Sequence, residues 1–167
     1  MLGYVISEEP GQTDAVLHEV AGQLLADGIA LIGAVQDTQR NGDDERKSMS
    51  LRLLPDGPEV AISQSLGRLS QGCNLDPEGL EHAAGLIAAG LEDAPQLVLL
   101  NKFGKQEAEG QGFRPIIAEA LSRGIPVILG VGREKLPAFL EFSGDLAQPL
   151  ARSRDAILQW CHDQMSG

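Results

Sequence analysis

From Asn101 to Glu107 the chain reads NKFGKQE, which groups two amides, two cations, a glycine and a carboxylate in one short stretch. Asn101, Lys102, Gly104, Lys105, Gln106 and Glu107 could together hold an anion, because lysine supplies charge and amides supply directional donors. Two other stretches have a related make-up. SEEPGQTD at 7–14 contains Gly11, Gln12 and Thr13, and GVGRE at 130–134 contains Arg133. With Arg114, the cations Lys102, Lys105 and Arg133 would form a local positive patch. A nucleotide phosphate, a free oxyanion or a carboxylate would each suit such a patch, and spacing alone does not choose among them.

The surrounding elements are expected to bring these stretches to one place. Leu97–Leu100 is a short continuous apolar run, as in a strand buried on both faces of a parallel sheet. NKFGKQE then lies in the loop at that strand's carboxyl end, where open α/β sheets bind ligands. The runs 2–6 and 126–131 read as further strands, each followed by one of the other two stretches. Between 2–6 and the next strand, 29–35, Val16, Leu17, Val20, Leu24 and Leu25 recur at helical spacing. Gln12 or Thr13 stands at the helix start and Asp27-Gly28 at its stop. The crossover predicts that strands 2–6 and 29–35 are parallel in one sheet. At the helix start, free backbone N–H groups add to the anion site.

Residues 36–47, QDTQRNGDDERK, contain no apolar side chain and predict an exposed, mobile loop, either a lid or plain disorder. Met49, Leu51 and Leu53 alternate before Pro55-Asp56-Gly57-Pro58, and Val60 and Ile62 alternate after it, a β-hairpin pattern over 48–65. This hairpin would lie beside the main sheet or extend its edge. Gln36, Arg52, Gln64 and Cys73 are secondary candidates for the cleft. Each taken alone, the polar hairpin residues read first as solvent-facing alternates, and Cys73 as a buried structural thiol. Asp76 and Pro77 open a helix whose stripe is Leu80, Ala83, Ala84, Ile87, Ala88 and Leu91, with His82 off it as a surface residue. Further helices are expected over 113–123, 136–142 and 155–165.

Composition bounds the function. The 167 residues, 43% of them hydrophobic, suit a single α/β domain over 1–167. The net charge of -11 opposes nucleic acid and anionic membrane as partners. No apolar segment approaches the roughly 20 residues of a membrane span, and the start MLGYVISEEPG lacks a signal peptide's pattern, so a cytoplasmic location is expected. Two cysteines in no metal-binding spacing, Cys73 and Cys161, give no zinc site and fit a reducing compartment. An edge strand and the hairpin arm would permit a homodimer.

The run LVLLNKFGKQEAEGQGFRPIIAEALSRGIPVILGV, with GIALIGAVQ upstream and CNLDPEGL between, resembles a bacterial family of unknown function often labelled as molybdenum-transport-associated ATPases. That family resembles small P-loop nucleoside-triphosphatases. The resemblance implies a three-layer P-loop NTPase-like fold with a mostly parallel sheet and an inserted β-hairpin. It also exposes departures. A phosphate-binding loop needs G-x-x-x-x-G-K-[ST], whereas SEEPGQTD keeps Gly11 and Thr13, has Gln12 at the lysine position and adds two glutamates. In the second motif, Asp-Glu-x-Gly-Lys-x-Glu, Asn101 stands for the metal-binding aspartate and Lys102 for the water-activating glutamate. Gly104, Lys105 and Glu107 persist. Asparagine is a poorer magnesium ligand than a carboxylate, and a protonated lysine is no general base, so triphosphate hydrolysis should be lost. The expectation is a metal-free anion site with no catalytic residues, in a context of molybdate or tungstate handling. Two alternatives stay open. One is a magnesium-nucleotide protein using Glu8, Glu9, Asp14 or Glu107 for the metal, and the other is a regulatory or assembly partner that binds no small ligand.

Overall fold

The computed structural model describes residues 1–9, 11–40, 47–63 and 75–166. In chain order these form β1 (Leu2–Ser7), α1 (Asp14–Ala26), β2 (Leu31–Arg40), β3 (Lys47–Leu54), β4 (Glu59–Ala61), α2 (Pro77–Gly90), β5 (Leu97–Phe103), α3 (Lys105–Ala108), α4 (Arg114–Ser122), β6 (Val127–Gly132), α5 (Leu136–Ser143), β7 (Ala147–Leu150) and α6 (Arg154–Ser166). The strands make one sheet in the order β4-β3-β2-β5-β6-β1-β7. The pairs β2–β5, β5–β6, β6–β1 and β1–β7 are parallel, and β2–β3 and β3–β4 are antiparallel. As expected, β1 and β2 are parallel in one sheet, separated there by β5 and β6.

The alternation of side chains in β5 explains why its sequence is continuously apolar. Val98 and Leu100 enter a core shared with α2, α4 and α5, while Leu97 and Leu99 enter another shared with α1 and α6. Helices thus cover both faces, which gives three layers. Each fully buried leucine contributes roughly 1.5–3 kcal/mol relative to exposure. Gly33 fits where β2 meets β5, since a Cβ there would lie 1.8 Å from the Leu99 carbonyl oxygen and its φ is +134°. Asp76 caps α2, accepting from the Glu78 N–H at 3.1 Å, with Pro77 in the first turn. His82 is exposed, as expected, but so is Ala88 from the expected stripe.

Three expectations need correction. Gln36–Arg40 are not loop but the second half of β2, paired with β3 from Gly33↔Leu54 to Arg40↔Lys47. An apolar-free stretch can still complete a backbone ladder, whose bonds ask nothing of the side chains. The residues 41–46, the centre of the expected mobile loop, lie outside the described residues, as do Gln64 and Cys73. Asn101 and Lys102 are also not loop residues. They belong to β5, which continues through a register shift between Leu100 and Phe103 and ends where Lys105 starts α3. Finally, β7 is an additional edge strand that periodicity does not announce, since AQPL is short and contains proline. The β3–β4 hairpin forms with Leu51↔Val60 at its centre and extends the sheet edge.

Candidate functional site

The three polar stretches do meet at the carboxyl edge. Ser7 of β1 is opposite Gly132 of β6, and Phe103 of β5 is opposite Val131. Gly130 lets them close up, because a Cβ there would sit 2.7 Å from the Asn101 carbonyl oxygen and 2.8 Å from the Thr13 hydroxyl oxygen. Thr13, 4% exposed, precedes α1 but makes no side-chain capping bond. Its hydroxyl faces β6 instead.

In the loop after β1, Gln12 folds back. Its Oε1 accepts from the backbone N–H of Glu8 at 2.8 Å, the N–H of Glu9 at 3.2 Å and Arg152 Nη1 at 2.8 Å. Arg133 donates through Nε to Glu8 Oε2 at 2.6 Å and through Nη2 to Glu8 Oε1. This bidentate contact, aided by the charges of Arg133 and Arg152, holds the exposed Glu8 carboxyl below its ordinary pKa. Gly11, at φ +80°, turns the loop into α1, its carbonyl accepting from the Asp14 N–H.

On the other side of Thr13 lies a polar chain between β5 and β2. Asn101, 3% exposed, donates through Nδ2 to Gln36 Oε1 at 2.9 Å, and Gln36 Nε2 donates to the Thr38 hydroxyl at 3.1 Å. Asn101 Oδ1 is buried without a hydrogen-bond partner. The Thr38 hydroxyl both donates and accepts, so reversing both amides preserves the chain and leaves an Asn101 N–H, not an oxygen, unfilled. Asn101 can therefore offer either polarity. Nearby, His18 Nε2 lies 3.0 Å from the Gln36 carbonyl oxygen and 2.9 Å from Asp37 Oδ1, and Arg52 reaches Asp37 Oδ2 at 3.4 Å. Burial pushes the Asp14 carboxyl up, Lys102 and His18 pull it down, and Asp37 adds to the rise.

Glu107 is structural in its contacts. At 3% exposure its Oε1 accepts from the Gly104 N–H at 2.8 Å and its Oε2 from the Phe113 N–H at 3.1 Å. Burial raises its pKa and the two N–H groups oppose that rise. Gln106 contributes its carbonyl to the turn after α3. Arg114 turns toward α5, its guanidinium 4.7 Å from the Phe142 ring centroid, with Nη1 at 3.4 Å from the Glu107 carbonyl oxygen. Lys102 and Lys105 are exposed and carry no ion pair among the described residues. Of the sequence-predicted set, the structure thus groups Gln12, Thr13, Asn101, Lys102, Arg133 and Gln36, and directs Arg114 elsewhere. Arg152, His18 and Asp37 were missed. Arg152 follows the unread strand β7, and a lone His or Asp carries no spacing signal. Two cavities, of about 220 and 370 Å3, lie away from this edge and include none of these residues. Among the described residues no cluster of three His, Cys, Asp or Glu could hold a metal, and no helix is long and apolar enough to cross a membrane.

Residues 2–160 match the model of a family described as a protein of unknown function, DUF2478. The chain belongs to the DUF2478 family. It is 33% identical over 153 residues to the molybdenum import ATP-binding protein ModC 2 of Bradyrhizobium diazoefficiens (strain USDA 110). The match covers 92% of this DUF2478 chain but spans only 17% of that protein's length. Two solved structures share the fold. THEP1 from the hyperthermophile Aquifex aeolicus superposes with a TM-score of 0.71 at 14% identity, covering all of both chains. A human cancer-related nucleoside triphosphatase superposes at 0.66 and 17% identity, covering 99% of this chain and 95% of that one. The mostly parallel seven-stranded sheet of this DUF2478 protein is therefore a P-loop NTPase-like fold.

Proposed function

We propose that this protein binds a small anion at the carboxyl edge of its sheet and does not hydrolyse nucleoside triphosphates. The observation that carries the reading is the loop after β1. Gln12 stands where a phosphate-contacting lysine would stand, and its own side-chain oxygen takes the Glu8 and Glu9 N–H groups. A magnesium nucleotide does not fit this donor set. Asn101 brings no negative charge for the metal, Glu8 is held by Arg133, and both Glu107 oxygens are held by backbone N–H groups. Asp14 and Asp37 are further partly buried carboxylates, but Lys102 and His18 act on Asp14, and Asp37 is held by His18 and Arg52.

The positive side of the reading rests on cations. Arg133 holds a carboxylate, Lys102 and Lys105 have no ion pair among the described residues, and the reversed Asn101 amide leaves an N–H unfilled. An oxyanion of the molybdate or tungstate class is the ligand that the ModC 2 relative suggests. Wild-type protein incubated with ATP or GTP and magnesium should release no phosphate above a no-protein control. Sustained release would contradict the reading.

A second reading is favoured by one observation. In ModC 2 the similar segment is 17% of a longer molybdenum import ATP-binding protein. A DUF2478 unit would then serve as a regulatory partner of such an ATPase, and co-purification with it independent of oxyanion would support this over the first reading.

A further inference from the structure

Arg133 and Arg152, after β6 and after β7, both reach the loop after β1, which lies 125 and 140 residues away from them in sequence. Arg152 Nη1 donates to Gln12 Oε1 at 2.8 Å and to the Ile6 carbonyl oxygen at 3.3 Å, the second bond fixing it beside β1. Three donors thus converge on one oxygen, the N–H groups of Glu8 and Glu9 and the Arg152 guanidinium. Two more, Arg133 Nε and Nη2, converge on the Glu8 carboxylate. Arrays of two arginines and loop N–H groups suit the oxygens of a tetrahedral oxyanion.

We infer that these five donors form an oxyanion cradle whose resting occupants are the chain's own Gln12 amide oxygen and Glu8 carboxylate, and that an external tetrahedral oxyanion binds by replacing them. This deepens the anion reading above and rests on it. One oxygen of the incoming anion takes the Gln12 position and the others take the arginine donors that Glu8 releases. Glu8, Glu9 and Gly11 are exposed and Gln12 is half-buried, so Glu8 and Gln12 can turn into water without leaving a buried group unpaired. Arg152 thereby becomes a binding residue and Glu8 a competitor. Glu8 also sets selectivity, because only an anion that satisfies both guanidiniums better than a single carboxylate will displace it.

The test is isothermal titration of the wild type, Glu8→Gln, Arg152→Ala and Arg152→Lys with molybdate and with inorganic phosphate, with thermal midpoints as a check on folding. Glu8→Gln should bind about tenfold tighter than wild type, since the competing charge is gone. Arg152→Ala should bind about tenfold more weakly, with partial recovery in Arg152→Lys. Binding by Glu8→Gln alone would also support the cradle. Wild-type binding that Glu8→Gln leaves equal or weaker, or that Arg152→Ala leaves unchanged, would overturn the cradle while sparing the anion reading. Silence of both wild type and Glu8→Gln would overturn the anion reading and the cradle together.

Discussion

Glu107 illustrates how one side chain can belong to a motif and still serve the loop more than a ligand. Its two oxygens accept from Gly104 and Phe113, and a Cβ on Gly112 would approach its Oε2 to 1.8 Å. Glu107→Ala strands the half-buried Gly104 N–H and the buried Phe113 N–H and should cost about 3 kcal/mol in urea unfolding. Burial holds its folded pKa above the ordinary 4.5, so the folded state binds this proton more tightly than the unfolded state. Its contribution is complete below pH 4.5 and is lost as pH rises through the raised value. The wild type should therefore lose stability relative to Glu107→Gln across that window, and a difference independent of pH would contradict this. Cys161 is the opposite case, a thiol that burial pushes up to about 12 and so leaves unreactive.

At the scale of elements, the site depends on close backbone approaches. Gly33→Ala would force a Cβ against the Leu99 carbonyl at a φ that alanine rarely adopts. It should destabilise by about 4 kcal/mol or more, read as a lowered thermal midpoint. Much of this level was legible in the sequence. The buried run 97–100, the cap at Asp76-Pro77 and the hairpin turn at 55–58 each follow from a local physical rule. Less was legible where the backbone alone decides. Gln36–Arg40 join a ladder without apolar side chains, β5 runs on through Asn101 and Lys102, and β7 is four residues with a proline. The same gap concealed the Arg152 contacts to Gln12 and Ile6, because Arg152 is placed by β7. Asn101 was found by motif, but its link to Gln36, 65 residues away, needed the β2–β5 pairing.

For the whole molecule, a chain of net charge -11 gathers Lys102, Lys105, Arg133 and Arg152 around the carboxyl edge of a P-loop NTPase-like sheet. The excess of negative charge elsewhere repels anions at long range, so binding at this edge should depend on short contacts and be modestly sensitive to salt. Lys102 lies close enough to Asp14 and Glu107 for its charge to oppose the rise of both pKa values. The most direct test is isothermal titration of wild type and the Lys102→Ala, Lys105→Ala double variant with molybdate, tungstate, sulfate and phosphate, and with magnesium ATP as a comparison. Oxyanion binding weakened about tenfold or more in the double variant, with no magnesium-dependent ATP binding in either protein, is the predicted result. Undiminished oxyanion affinity in the double variant, or tight magnesium-dependent ATP binding by the wild type, would contradict the account.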